Sequence, residues 1–149
     1  MQIIELLSLE NKSRYVDNLK NCEWAAAKFL ANLIEEDKLE EMCGPNPKVL
    51  MLLDGENIVS FSTYVFQDEI RDETLFPWVG FVYTFPKYRG NRCFGILLNH
   101  IVKLAKEDGY NKIFVSTNEV GLYEKYGFMY FCNMLDITGN DSRIYCKDI

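Results

Sequence analysis

Residues 93–108 carry Phe94, Leu97, Leu98, Ile101, Leu104 and Ala105 at the three-and-four spacing of a single helix face. Gly109 follows where a helix commonly ends in the left-handed conformation. On either side lies a short run rich in β-branched and aromatic residues, Trp78–Thr84 (WVGFVYT) before it and Lys112–Thr117 (KIFVST) after it. Both read as strands. A strand–helix–strand crossover of this kind places its two strands parallel in one sheet. An all-helical bundle and an all-β sandwich are therefore excluded, and the chain must be an α/β domain.

The rest of the chain adds mostly antiparallel pieces. Residues 2–7 predict a first strand, and residues 11–19 and 23–36 predict two helices. Trp24, Ala27, Phe29, Leu30 and Leu33 supply the apolar face of the second helix. The acidic cluster Glu35, Glu36, Asp37, Glu40 and Glu41 reads as a solvated face. Residues 48–53 and 58–67 flank the turn Asp54-Gly55-Glu56-Asn57 and predict an antiparallel hairpin. Residues 68–74 read as a polar loop, 120–126 as a short helix stopped by Gly127, and 128–137 with 143–146 as a closing hairpin. A length of 149 residues suits one such domain, spanning 1–149.

Charge and cysteine usage remove several function classes. A net charge of −6 argues against a nucleic-acid partner, which needs a basic face. No apolar run reaches the roughly 18 residues of a membrane span, and the N-terminus has no signal-peptide pattern. Cys22, Cys43, Cys93, Cys132 and Cys146 are scattered and form no CxxC pair. They read as free thiols in a reducing cytoplasm, with neither a disulfide framework nor a metal site. His100 is the single histidine and falls on the flank of its helix, which leaves no His-based triad.

Two segments carry chemistry. In Thr84-Phe85-Pro86-Lys87-Tyr88-Arg89-Gly90-Asn91-Arg92-Cys93-Phe94-Gly95, a strand ends, a basic turn follows and the strong helix begins. A helix N-terminus offers free N–H donors and a positive dipole end. Arg89 and Arg92 add charge with a geometry suited to phosphate. These residues by themselves specify a phosphate or pyrophosphate cradle, and a nucleotide-phosphate binder fits them too. The second segment is Ser116-Thr117-Asn118-Glu119-Val120-Gly121 followed by LYEKYGF, Leu122 to Phe128.

Together they resemble the GNAT family of N-acetyltransferases. The family's coenzyme A motif is written Q/R-x-x-G-x-G/A after a strand ending in V-x-P. Here Thr84-Phe85-Pro86 takes the V-x-P place and Arg89 the Q/R place. Arg92 and Phe94 stand at the two glycine positions, and Gly95 comes one place late. The backbone donors survive those changes where the residues keep helical φ/ψ. LYEKYGF matches the family's second signature after a shortened Asn118–Tyr123 interval.

The resemblance implies a mostly antiparallel sheet with one parallel strand pair and helices on both faces. It implies acetyl-CoA as co-substrate, with its pyrophosphate held by Arg89, Gly90, Asn91, Arg92, Cys93, Phe94 and Gly95. Asn118 joins the cofactor-binding set. The pantetheine arm would pair with main-chain groups at Val82, Tyr83 and Thr84, where an N–H can polarise the acyl carbonyl. Tyr123 takes the role of general acid toward the leaving thiolate, with Tyr126 its rival. The implied reaction is direct acetyl transfer to a primary amine of a small molecule or peptide, and a homodimer stays open. An acyl-CoA-binding regulatory module with little or no catalysis is the alternative. Trp24, Glu69 and Trp78 are guesses for the acceptor side. Asp68, Glu69, Asp72 and Glu73 are candidates for a base that otherwise read as loop-surface residues. An acyl-cysteine at Cys93 is the lesser route.

Overall fold

The computed structural model describes the whole chain, Met1–Ile149. Its strands are β1 (Gln2–Glu5), β2 (Lys48–Asp54), β3 (Asn57–Val65), β4 (Trp78–Thr84), β5 (Lys112–Thr117), β6 (Met129–Leu135) and β7 (Asp141–Asp148). Its helices are α1 (Ser13–Lys20), α2 (Ala25–Glu35), α3 (Leu39–Cys43) and α4 (Cys93–Glu107). The strands form one sheet in the order β1-β2-β3-β4-β5-β7-β6. Every neighbouring pair is antiparallel except β4–β5. This is the mixed sheet with one parallel pair that the crossover at α4 requires.

β2 reads VLMLL without alternation because both of its faces are covered. Met51 points into a core with α1–α3, beside Leu19, Leu30, Ala31, Phe61 and Trp78. Leu50 and Leu52 point the opposite way and meet Leu97, Ile101 and Ala105 of α4. Helices thus lie on both faces, and the sheet separates two cores.

Several boundaries differ from the sequence expectation, each for a local reason. β1 stops at Glu5 because the Glu5 carboxylate accepts the Leu7 N–H at 2.9 Å and starts a 3₁₀ turn, Leu6–Ser8. The acidic cluster holds a helix, α3, because Leu39 and Cys43 lie one turn apart and are buried while Glu40 and Glu41 stay exposed. The short helix expected over 120–126 shrinks to a 3₁₀ turn, Tyr123–Tyr126, between Gly121 and Gly127, both at positive φ. β7 is longer than 143–146 because it pairs on both edges, with β5 and with β6.

Two irregularities of β4 open a cleft in the sheet. Phe61 pairs with Tyr83 and Thr63 with Gly80, so Ser62 opposes both Phe81 and Val82. This is a β-bulge, and Phe81 sits in it at φ 47°. On its other edge β4 pairs with β5 only at Trp78–Phe114 and Val79–Val115. From Gly80 onward the two parallel strands diverge, and the cleft lies between them.

Candidate active site

The cleft has a volume of about 900 Å³, within the usual size of a small-molecule site. One side is the unpartnered stretch of β4, Gly80 to Thr84, with the turn after it. The other is the end of β5 with Glu119, Leu122 and Tyr123. Trp24 and Phe29 of the α2 region also line it, as do Ile137 and Thr138 of the β6–β7 turn, where the Ile137 N–H donates to the Glu69 carbonyl at 2.9 Å.

The turn after β4 presents free donors of a kind that suits an anion. Pro86–Tyr88 form a 3₁₀ turn, and Gly90 takes φ 83°. The N–H groups of Gly90, Asn91 and Arg92 find no acceptor within the protein, and those of Cys93 and Phe94 open α4, where a helix leaves its donors free. Arg89 is pinned: its Nε donates to the Thr84 carbonyl at 2.9 Å, and its guanidinium lies 5.2 Å from the centre of the Tyr83 ring. Its two terminal nitrogens keep their donors for a ligand. Asn91 turns its side-chain amide back onto the Tyr88 carbonyl at 3.2 Å. Cys93 is buried, its Sγ 3.8 Å from the Tyr88 carbonyl.

Arg92 does not keep helical φ/ψ. It caps α4 in the left-handed region, at φ 55° and ψ 32°, the conformation for which the glycine of the family motif is suited. Phe94 is helical and buried, and it packs edge-on to Tyr123 and Tyr126 at 6.0 and 5.4 Å. Where the motif has a small residue, this chain has a ring that props the two tyrosines. Gly95 faces Tyr126: an added Cβ would stand 3.1 Å from its ring. Gly95, Asn91 and Asn118 are not part of the cleft wall, and Asn118 is exposed. Val82, Tyr83, Thr84, Arg89, Gly90, Arg92, Cys93, Phe94 and Tyr123 are brought together on it.

Tyr123 is 5% exposed, boxed by Phe94 and Phe128. Its hydroxyl makes no hydrogen bond within the protein. Burial, together with the charges of Glu119 and Asp68, pushes the phenol well above its ordinary range. At neutral pH it is a protonated donor on the cleft wall.

Acidic residues line the cleft as well. Glu69 accepts the Ser116 hydroxyl at 2.7 Å, and Ser116 in turn meets Ser142 at 2.6 Å. Asp68, expected on the loop surface, is 8% exposed. No side chain donates to its carboxylate, and burial, then the charge of Glu69, pushes it up to about 7. It occupies the space that a side chain at Gly80 would fill: a Cβ there would overlap Asp68 Oδ1 and stand 2.9 Å from Thr63 Oγ1. Thr63 Oγ1 is itself buried without a partner. Asp72 is tied to the Thr74 N–H at 2.9 Å and lies outside the cleft, as does Glu73. Trp78 is wholly buried, its indole N–H donating to the Leu75 carbonyl. Trp24 and Glu69 do line the cleft. The sequence signals Asp68 only as an acid shortly after an apolar strand. Its burial depends on Gly80, which lies in a different strand, β4.

No group of three His, Cys, Asp or Glu side chains converges as a metal site would. No helix is long and apolar enough to cross a membrane.

A family model described as the acetyltransferase (GNAT) family matches residues 9–128. No curated protein sequence matches the chain significantly. Among solved structures, an aminoglycoside 6'-acetyltransferase type Ii superposes with a TM-score of 0.73 at 18% identity, covering 99% of this chain and 97% of that one. An acetyltransferase from Streptococcus agalactiae superposes at 0.70 with 22% identity, over 99% and 98% of the two chains. An aminoglycoside 6'-N-acetyltransferase complexed with coenzyme A superposes at 0.71 with 15% identity, over 99% and 97%. At these identities the likeness establishes the fold, a mixed sheet of seven strands with helices on both faces.

Proposed function

The chain belongs to the acetyltransferase (GNAT) family, and we propose that it moves an acetyl group from acetyl-CoA to a primary amine of a small molecule or peptide by direct attack. The observation that carries this reading is the pairing of two features across one cleft. A bare β4 edge runs into a set of free N–H donors at Gly90–Arg92, and Tyr123, protonated and without a hydrogen-bond partner, lines the same cleft.

These residues suit the thioester. The N–H groups of Gly90, Asn91 and Arg92, with the free guanidinium nitrogens of Arg89, match a pyrophosphate. Main-chain groups at Val82, Tyr83 and Thr84 suit an extended amide-bearing arm laid along β4, and an N–H among them would polarise the acyl carbonyl. Acetyl-CoA, when bound, supplies an activated acyl group with a thiolate as leaving group. Tyr123 donates its proton to that sulfur as it leaves. The carboxylates of Asp68 and Glu69 favour an acceptor that arrives as a cation. The coenzyme A-bound neighbour and the aminoglycoside acetyltransferases support a small-molecule amine as acceptor.

The test has two parts. Calorimetry should show acetyl-CoA binding, and thiol release should appear with one or more of tyramine, spermidine, kanamycin and an N-terminally blocked lysine peptide. Tyr123→Phe should then lower kcat by about 10²–10⁴-fold while leaving acetyl-CoA binding intact. Binding without turnover on any amine would favour the regulatory-module reading. Unchanged turnover in Tyr123→Phe would remove that residue from the acid role.

A further inference from the structure

We propose that Asp68 is the proton acceptor of the reaction, taking the proton that a primary ammonium must shed before its nitrogen can attack. The inference rests on the acetyl-transfer reading above and adds the residue, and the charge state of the acceptor, that this reading leaves open.

Gly80 is the β4 residue at which pairing with β5 has just ended. The Asp68 carboxylate fills the volume over its missing side chain. A carboxylate therefore sits at the fork of the cleft, beside the start of the bare β4 edge and on the acceptor side with Glu69, Trp24 and Phe29.

A buried carboxylate is normally tied down by donors or paired with a cation, because leaving it bare costs stability. Glu69 follows that rule through Ser116. Asp68 has only the Glu69 backbone N–H: no side chain donates to it, and it is 8% exposed. Beside it Thr63 Oγ1 is buried and has no partner. A carboxylate on the cleft wall that no side chain satisfies is placed for something that enters the cleft with N–H donors. A primary ammonium has three.

Its surroundings set its basicity. Glu69 and Arg71 of its own loop, Cys43 at the end of α3, Tyr123 across the cleft and Thr63 of β3 are the titratable or polar groups that face it. Burial and Glu69 raise the carboxyl, while the Glu69 backbone N–H and Arg71 lower it. The result, about 7, is near the value at which a base works best at neutral pH. Two poles then share one cleft: Tyr123, held protonated, and Asp68, ready to accept.

The step balances. The ammonium gives one proton to Asp68 and becomes a neutral amine. Its lone pair forms the C–N bond at the acyl carbon, the C–S bond breaks, and its electron pair stays on sulfur. Tyr123 protonates the thiolate and recovers a proton from the new amide nitrogen through solvent. Asp68 releases its own proton to solvent. Ammonium and thioester become amide, free thiol and one proton.

The experiment compares wild type, Asp68→Asn and Glu69→Gln. For an alkylamine acceptor, wild-type kcat/KM should fall on the acid side with an apparent pKa near 7. In Asp68→Asn that limb should vanish and kcat/KM at pH 7.5 should drop by about 10²–10⁴-fold, with acetyl-CoA binding by calorimetry unchanged. Glu69→Gln should keep the limb, displaced to lower pH. Retention of the wild-type limb in Asp68→Asn overturns the proposal. A second readout needs neither acceptor nor variant: carboxyl ¹³C NMR of the wild-type protein should show one aspartate titrating near 7, and its absence overturns the proposal equally. If acetyl-CoA does not bind at all, it is the acetyl-transfer reading that fails, and the two failures are told apart.

Discussion

Arg92 holds a backbone conformation that L-residues adopt at a penalty of about 1–2 kcal/mol, since it sits at φ 55° where α4 begins. The conformation has a use. It turns the chain from the extended Arg89 into the helix while the Gly90, Asn91 and Arg92 N–H groups stay free. A glycine would hold the same turn without strain, and the family motif has glycine at this position. In its place the arginine adds a cation to the stretch of chain that carries the free donors at 90–92. The strain is separable from the charge by a pair of variants. Arg92→Gly and Arg92→Ala both remove the guanidinium, but only glycine relieves the left-handed backbone. Arg92→Gly should be more stable than Arg92→Ala by about 1 kcal/mol in urea unfolding, and both should bind acetyl-CoA more weakly than wild type. Equal stability of the two variants would mean that the cap is not strained.

At the scale of the element, β4 matters most, and it is only half legible in the sequence. Its existence and its two ends follow from WVGFVYT and Pro86, and its parallel partner follows from the helix between them. Its bulge at Phe81 and its early parting from β5 do not, because both are set by register against β3 and by which strand lies alongside. As a letter in the chain Gly80 is an ordinary small residue in a strand, whereas the space above it belongs to a carboxylate from a different loop. Gly80→Ala should therefore destabilise the protein by about 1–3 kcal/mol through overpacking, although alanine suits a strand better than glycine. The remedy is specific. In the background of Asp68→Ala most of that loss should be recovered, because the obstructing oxygen is gone, and a double-mutant cycle should show the coupling. Additive losses would place the clash at Thr63 Oγ1 instead, which lies 2.9 Å from the same Cβ position.

Across the whole molecule, the proposed cofactor side of the cleft is readable in the chain because it is one local joint, a strand, a turn and a helix in direct succession. The proposed acceptor side is assembled from the loop after β3, the start of α2 and the β6–β7 turn, which only the folded sheet brings together. Asp68 is the residue at which that assembly has a global consequence. In the unfolded chain its carboxyl has the ordinary value of 3.8, and in the folded protein it is raised to about 7. Between those values the folded state keeps a proton that the unfolded state has lost. Stability from this group is thus complete below about pH 4 and declines by about 1.4 kcal/mol per pH unit as pH rises toward 7, where it levels off. Asp72 and Asp136 are shifted the opposite way by their threonine and backbone donors, so their contributions fade only as pH falls through the low carboxylate range, outside this window. Urea midpoints measured from pH 4.5 to 8 should therefore fall with pH in wild type relative to Asp68→Asn, whose amide cannot titrate. The asparagine variant should be the more stable of the two at pH 8, where wild type must bury a charge that no side chain pairs. Parallel curves for the two proteins would show that Asp68 titrates alike in the folded and unfolded states, and that its burial costs the fold nothing.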